Sequence, residues 1–260
     1  ALTNIKKSWG SDPFLDGEHK TSWRKSDQHS DFIKIIEFIE KISGTQKMLT
    51  TSSYIKESKY EVRTYIPRDL NININLNKLD IYKFFQVDAE SLSLIGSKFD
   101  ILYCKAIEHI HKWDSVFKES NECLNPNGIF VIKHRPFFSY LGAHRYGSIE
   151  LPWGHVILND DQYKKFVNIY HKDRANEMID FMKKDLSYPR KTVNDMIEIG
   201  IKNGFEPVSI RYEAANRQKE LVEILKENPN ILERMKNRYR NLGLDEILSG
   251  MVHLVFKKNV

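Results

Sequence analysis

Long apolar runs are missing from this sequence of 260 residues. Nothing in it approaches the roughly 18 consecutive apolar residues of a membrane-spanning helix. Its first residues, ALTNIKKSWGSDPF, lack the apolar core of a secretory signal. Cysteine is scarce as well, because Cys104 and Cys123 are the only two, and both fall on apolar positions that indicate free core thiols. We therefore expect a cytoplasmic protein with no membrane partner.

A dominant charge of one sign is also missing. The chain has 40 Lys and Arg against 35 Asp and Glu, which gives a formal net charge of +5. This mildly basic balance admits nucleic acid or an anionic small molecule as partner but selects neither. No helix-turn-helix, zinc-finger or RNA-platform motif is present. The sequence therefore favours a small-molecule partner over nucleic acid.

A strand–helix–strand pattern occupies the middle of the chain. Two runs rich in β-branched and aromatic residues, Phe99–Cys104 and Ile129–Ile132, flank a segment with apolar residues near a period of 3.6. Such a pattern predicts a parallel βαβ unit, whose ligands would bind beyond the carboxyl ends of its strands. Polar residues that fall just past predicted strand ends are Asp88, Glu90, Lys105, Glu108 and His109.

Helical and strand patterns continue on both sides of this unit, as expected for an α/β protein. Upstream, they predict a helix over Asp31–Lys41 and strands over Met48–Ile55, Tyr60–Ile66 and Phe84–Val87. Pro67 would end the second of these strands. Downstream, they predict helices over Asp160–Tyr170, Asn176–Lys184 and Thr192–Asn203, helical residues within 214–248, and strands over Glu206–Tyr212 and Met251–Phe256.

Several short motifs resemble the class I S-adenosylmethionine-dependent methyltransferases. The segment KFDILYCKAIEHIHKW resembles that family's strand of the form FD-φ-φ-x-C/S/A, where φ is apolar, which leads to an "EHI" segment, and LNPNG resembles its "LKPGG" turn. Asp88 and Ala89 take the place of an acidic "D-A-x-x-L" loop whose aspartate meets the adenine amino group. The segments NGFEPVSI and SGMVHLVFKK resemble the family's antiparallel last pair of strands. The resemblance covers residues 82–135 well and 192–258 loosely.

The resemblance implies a fold, a reaction and a cofactor. The fold would be α/β, with a Rossmann-like, mostly parallel sheet flanked by helices and an antiparallel last strand. It would form one domain over residues 1–260, with an inserted substrate cap over 134–190. S-adenosyl-L-methionine would be the cofactor of a methyltransferase. The residues that would contact it are Asp88, Ala89, Glu90, Cys104, Lys105, Ala106 and, at the ribose hydroxyls, Asp69.

The family's Gly-rich cofactor loop is absent, because none of the 12 glycines forms a G-x-G pair. Glycines in that loop allow positive φ and close approach of the backbone to the cofactor. The candidate replacement by sequence order is Lys47–Ser53. Two explanations stay open: either Arg24, Trp23 or Asp69 supply rebuilt contacts, or the site is lost and the domain is an inactive binding or scaffold partner.

Residues 134–155 are rich in groups that could bind and activate an acceptor. Methyl transfer to oxygen or nitrogen needs positioning and the removal of one proton, for which a neutral histidine is suited. We predict His144 or His155 as the base, with His109 of the EHI segment as a further candidate; the alternative is a loop held by histidine hydrogen bonds. The spacing of these histidines matches no metal site. Substrate contacts are predicted at Arg135, Arg145, Tyr146 and Trp153.

The leading hypothesis is a methyltransferase of small-molecule biosynthesis that acts on an oxygen or nitrogen of a polar, anionic molecule. The alternatives are the inactive binding domain and a transferase with a nucleotide-sugar donor, for which no motif is found. The charged segment Glu220–Arg240 is typical of a solvated helical face. It could also bind a partner protein or a second copy of the chain.

Overall fold

The computed structural model describes the backbone of residues 8–11, 47–54, 61–68 and 82–85, and then residues 87–260 except 106, 141, 143–146 and 185–189. The chain divides into two compact units, Ala1–Gly96 and Ser97–Val260. The predicted helix Asp31–Lys41 lies outside the described residues. The prediction of one domain with an inserted cap over 134–190 stays a prediction.

The first unit contains a four-stranded sheet in the order β1-β4-β3-β2. Strands β1 and β4 are parallel, whereas β3 is antiparallel to both β4 and β2. After the sheet comes a 3-10 helix, Ala89–Ile95. The strands are β1 (Ser8–Ser11), β2 (Lys47–Tyr54), β3 (Glu61–Arg68) and β4 (Tyr82–Phe85).

Two predictions for this unit were wrong in detail. Lys47–Ser53, the candidate replacement for the Gly-rich loop, lies within β2, where every residue pairs with β3. Its β-branched Thr50 and Thr51 favour this extended conformation. Strand β3 also continues through Pro67. A proline is tolerated there because the pairing of β3 with β4 covers only Val62 and Arg63.

The second unit contains a four-stranded sheet in the order β5-β6-β8-β7. Strands β5 and β6 are parallel, and β8 runs antiparallel to both β6 and β7. The predicted α/β class with an antiparallel last strand is confirmed. The sheet is mixed and not mostly parallel, because one of its three strand pairs is parallel and the other two are antiparallel. The strands are β5 (Phe99–Lys105), β6 (Leu124–His134), β7 (Phe205–Ala214) and β8 (Ser249–Lys258).

Helices surround this second sheet. Among the described residues, none of the helices is long and apolar enough to span a membrane. Short 3-10 helices occur at Ile107–His109 and Lys172–Arg174. The α-helices are α1 (Trp113–Cys123), α2 (Gly154–Ile157), α3 (Asp160–Tyr170), α4 (Ala175–Lys184), α5 (Val193–Lys202), α6 (Gln218–Glu227), α7 (Pro229–Arg238) and α8 (Leu244–Ile247).

The predicted βαβ unit is present as β5, α1 and β6. Its helix begins only at Trp113, whose Nε1 donates a hydrogen bond to the carbonyl of Ile107 over 3.0 Å. The predicted LNPNG turn is a bulge inside β6, because the register moves from Phe99 opposite Leu124 to Ile101 opposite Ile129. The sequence pattern therefore located the unit correctly, and a 3-10 helix over Ile107–His109 precedes α1.

An aromatic cluster holds α1 on one face of the sheet. The ring of Phe117 on α1 meets Phe130 of β6, Phe205 of β7 and Phe256 of β8 edge to face, with centroids 5.2 to 5.8 Å apart. Gly200 lets α5 approach the same cluster, since a Cβ there would lie 2.7 Å from the Phe256 ring. The centre of this face of the sheet is therefore buried.

Residues after β6 pack onto the C-terminal helices of the same unit. Trp153 is fully buried, and its Nε1 donates a hydrogen bond over 3.1 Å to the carbonyl of Ile247. Arg238 on α7 donates to the carbonyl of Val156 over 3.3 Å. These two contacts tie α2 to α7 and α8.

Candidate functional site

Glu108 and His134 meet where two parallel strands end. Glu108 lies in the 3-10 helix after β5, and His134 is the last residue of β6. Because β5 and β6 are neighbours and parallel, their carboxyl ends lie at the same edge of the sheet. Nδ1 of His134 is 3.3 Å from Oε2 of Glu108, and their side chains are only 2% and 12% exposed.

The Glu108 carboxylate determines which nitrogen of His134 carries hydrogen. Burial by itself would raise the pKa of Glu108, but the hydrogen bond and charge of His134 outweigh burial, and the pKa lies below its usual value. An ionised carboxylate can only accept a hydrogen bond, so Nδ1 of His134 must donate. In the neutral ring Nε2 is then an acceptor, and it is buried without a hydrogen-bond partner among the described residues.

The orientation of the His134 ring is fixed by packing. The indole of Trp113 meets it edge to face at 5.5 Å, with the two planes at 87°. Trp113 is itself held by its hydrogen bond to the Ile107 carbonyl. The segment from the 3-10 helix after β5 to the first residue of α1 therefore supplies both the carboxylate and the aromatic ring beside His134.

Asp88, the residue predicted to meet adenine, caps the 3-10 helix of the first unit. Its Oδ1 accepts a hydrogen bond from the backbone N–H of Glu90 over 2.9 Å. Ala89 and Glu90 form the first turn of that helix, and all three residues are half-buried. The other carboxylate oxygen, Oδ2, accepts no hydrogen bond from the described residues, so the group fits the acceptor role that the resemblance implies.

The other predicted cofactor residues are described in part. The Cys104 side chain is half-buried, and burial followed by the charge of Glu108 raises the pKa of its thiol to about 12. It therefore stays a neutral thiol at pH 7. Lys105 ends β5 and is exposed. Ala106, Asp69, Arg24 and Trp23 lie outside the described residues.

His155, a predicted base, is buried in α2. Its Nε2 donates a hydrogen bond to the carbonyl of Phe137 over 2.6 Å, with the proton on that nitrogen because a carbonyl only accepts. Burial lowers the pKa of His155 to about 4 and outweighs the hydrogen bond, so the ring is neutral at pH 7. Gly142 packs on this ring, since a Cβ there would lie 3.0 Å from it. These contacts resemble the loop-holding role considered as the alternative.

The other residues predicted to bind or deprotonate the acceptor differ in their burial. His109 is half-buried with its ring 6.4 Å from that of Phe181. Arg135 is exposed, and Trp153 is buried with its indole N–H engaged. The predicted residues His144, Arg145 and Tyr146 lie outside the described part of the chain, and all of these roles stay predictions.

The pairing of Glu108 with His134 was not predicted. A signal was present, because both residues lie a few positions past the predicted strands Phe99–Cys104 and Ile129–Ile132, which the βαβ pattern makes neighbours. The sequence pattern placed Glu108 just past a strand end but did not indicate His134 as its partner. In the described ranges, no group of three or more His, Cys, Asp or Glu residues lies close enough to hold a metal ion.

Comparison with known families agrees with the resemblance. Residues 62–132 match the family model of the methyltransferase domain. This segment includes Asp88, Glu108 and the greater part of β6. Over this segment the match agrees with the predicted resemblance to methyltransferases. No curated protein matches the chain.

Solved methyltransferase structures show a distant likeness. An S-adenosylmethionine-dependent methyltransferase from Mesorhizobium loti is 14% identical, with a TM-score of 0.38, over 68% of this chain and 70% of its own. Phosphoethanolamine N-methyltransferase 2 of Haemonchus contortus, in complex with S-adenosyl-L-methionine, is 16% identical, with a TM-score of 0.32, over 70% of this chain and 38% of its own. At such low similarity we draw nothing about substrate from either protein.

Proposed function

We infer that this chain, whose residues 62–132 match the family model of the methyltransferase domain, methylates an oxygen or nitrogen of a small polar molecule with S-adenosylmethionine as the donor. The family match supports the reaction. The observation that supports an acceptor needing deprotonation is the buried pair of Glu108 and His134 at the edge of the second sheet. S-adenosylmethionine, when bound, supplies the electrophilic methyl group.

His134 is suited to accept the acceptor's proton. Its Nδ1–H donates to the Glu108 carboxylate, which leaves the lone pair of Nε2 free to take a proton. The negative charge of Glu108 then stabilises the imidazolium that forms. Glu108 acts through His134 and is a positioning residue, whereas His134 is the proposed catalytic base.

Burial supports this assignment over an ordinary surface pair. The His134 residue is 1% exposed, so its unpartnered Nε2 is shielded from bulk water. A buried polar atom without a partner costs stability, typically about 1–3 kcal/mol. A bound molecule that donates a hydrogen bond or a proton to Nε2 would relieve that cost.

Asp88, a residue of the first unit, supports cofactor binding. With Oδ1 engaged by the Glu90 backbone, the side chain is held in one orientation. Oδ2 could then accept a hydrogen bond from the adenine amino group. His144, His155 and His109 stay candidates for proton transfer, but the low pKa of His155 makes its ring a weaker base than a solvated histidine.

The test is turnover with a panel of small phenols, amines and carboxylates, read as S-adenosylhomocysteine formed. With the acceptor that gives the highest rate, His134→Gln should lower kcat by about 100-fold or more, the usual contribution of a general base. Affinity for S-adenosylhomocysteine should stay within about twofold. The matched control is His111→Gln, which changes an exposed histidine of the same segment. Equal turnover by wild type and His134→Gln would overturn the assignment.

A further inference from the structure

Four basic residues form a straight row across the second sheet. Lys105 of β5 lies opposite Lys133 of β6, Lys133 lies opposite His253 of β8, and His253 lies opposite Arg211 of β7. Residues in register on neighbouring strands point to the same face of a sheet. We call these four residues the basic row.

The basic row lies on the face of the sheet opposite the aromatic cluster. Its neighbours along the strands alternate with buried residues, such as Ile132 and His134 beside Lys133. Lys105 and Arg211 are exposed, while Lys133 and His253 are half-buried. With strands about 4.8 Å apart, the row extends over about 14 Å.

Two charges of the row repel each other, because Lys105 and Lys133 lie directly opposite on neighbouring strands. Within the part of the chain that the structure describes, no carboxylate forms an ion pair with Lys105, Lys133 or Arg211. His253 is bonded to Glu213, with Nε2 and Oε1 2.9 Å apart. An anion seated on the row would replace this repulsion by charge-assisted hydrogen bonds.

The row also lies at the end of the sheet where the proposed base is found. Lys105 is the last residue of β5, and Lys133 immediately precedes His134 on β6. A molecule that crosses the carboxyl edge of these two strands would meet the row on one face and the pair of Glu108 and His134 near the other. Ligands of open α/β sheets bind at this edge.

We propose that the basic row seats the phosphate groups of a small phosphorylated acceptor. This inference rests on the proposed function and names the class of its substrate. A single carboxylate could engage only two neighbouring cations, whereas a diphosphate or longer chain of phosphates can engage three or four. Lysine and arginine both bind phosphate oxygens, and arginine does so with two donors at once.

The experiment measures binding of inorganic phosphate, pyrophosphate and tripolyphosphate to the full chain by calorimetry. Affinity should rise with the number of phosphates. Lys133→Ala and Arg211→Ala should each weaken tripolyphosphate binding about tenfold, the size expected for one charge-assisted hydrogen bond. Lys133→Arg should restore most of the affinity because it keeps the charge.

Lys165→Ala, which changes an exposed lysine on α3, is the control and should leave affinity unchanged. Equal binding by wild type and the two row variants, or no binding of any phosphate, overturns the proposal. A single-stranded oligonucleotide that binds more tightly than tripolyphosphate, with the same sensitivity to the variants, overturns the small acceptor in favour of nucleic acid.

A parallel titration with S-adenosylhomocysteine separates this inference from the proposed function. The row variants should bind it as wild type does. Failure of the wild type to bind it would contradict the methyltransferase function, while the phosphate titrations would still decide whether the row holds an anion.

Discussion

Nδ1 of His134 lies 3.3 Å from Oε2 of Glu108, in a place where both side chains are nearly removed from water. Removing Glu108 would leave the Nδ1–H of a buried histidine without its partner. Glu108→Ala should therefore lower the free energy of unfolding by about 1–3 kcal/mol. Urea unfolding at pH 7 measures this loss.

The control for that variant is Glu198→Ala, which removes an exposed carboxylate from α5. It should change stability by no more than about 0.5 kcal/mol. A loss for Glu108→Ala as small as the control's would mean that the pair does not contribute to the folded state.

Glu246 on α8 predicts an unusual dependence of stability on pH. Its Oε2 accepts a hydrogen bond from the backbone N–H of Val193 over 3.0 Å, while burial is the main cause that raises its pKa from 4.5 to about 8. Between these values the folded state holds a proton that the unfolded state has lost. Stability should therefore fall as pH rises from about 4.5 to 8, by an amount on the order of a few kcal/mol.

Glu246→Gln should abolish that fall, because the amide does not ionise and its oxygen can still accept the Val193 hydrogen bond. Glu233→Gln, at an exposed position of α7, should retain the wild-type dependence. Thermal unfolding of the three proteins across this pH range makes the comparison. Identical slopes for wild type and Glu246→Gln would contradict a raised pKa at Glu246.

Gly142 combines a φ of +72° with close contact to the His155 ring. An alanine there would strain the backbone and press its methyl group against the imidazole. Gly142→Ala should cost about 1–3 kcal/mol of stability. Gly243→Ala is the matched control, because Gly243 has φ of −88° and no heavy atom within 4 Å of an added Cβ. A similar effect of both substitutions, measured by urea unfolding, would rule out tight packing at Gly142.

Phe117 is expected to be the most sensitive residue of the aromatic cluster. It is fully buried and meets three other rings. Phe117→Ala should cost about 3–5 kcal/mol because it leaves a cavity beneath α1. Ile169→Ala, at a side chain that is 51% exposed on α3, should cost far less. Chemical denaturation compares the two, and similar losses would contradict a core centred on Phe117.

Local patterns predicted much of the second unit. The limits of α3 match the periodicity of Asp160–Tyr170, and α5 follows Thr192, whose hydroxyl and Asp195 form a capping box. The turn at Asn125–Gly128 was recognised, but not its place within β6. A register shift of that kind depends on pairing with β5, which no local pattern encodes.

The candidate site depended on contacts that are distant in sequence. Glu108 and His134 are separated by 26 residues, and only the parallel pairing of β5 with β6 brings them together. The basic row needs three strand registers at once, including that of Arg211 with His253. Periodicity can indicate that a strand exists, but it does not give the register by which side chains become neighbours.

The central claim is that this chain binds the methyltransferase cofactor. Calorimetric titration with S-adenosylhomocysteine tests this claim most directly. Wild type should bind in the micromolar range, and Asp88→Ala should weaken binding about tenfold by removing the proposed acceptor for adenine. Asn159→Ala, which also removes a helix cap but leaves Asp88 intact, should bind as wild type does. Absence of binding heat and of any thermal shift in the wild type would contradict the account.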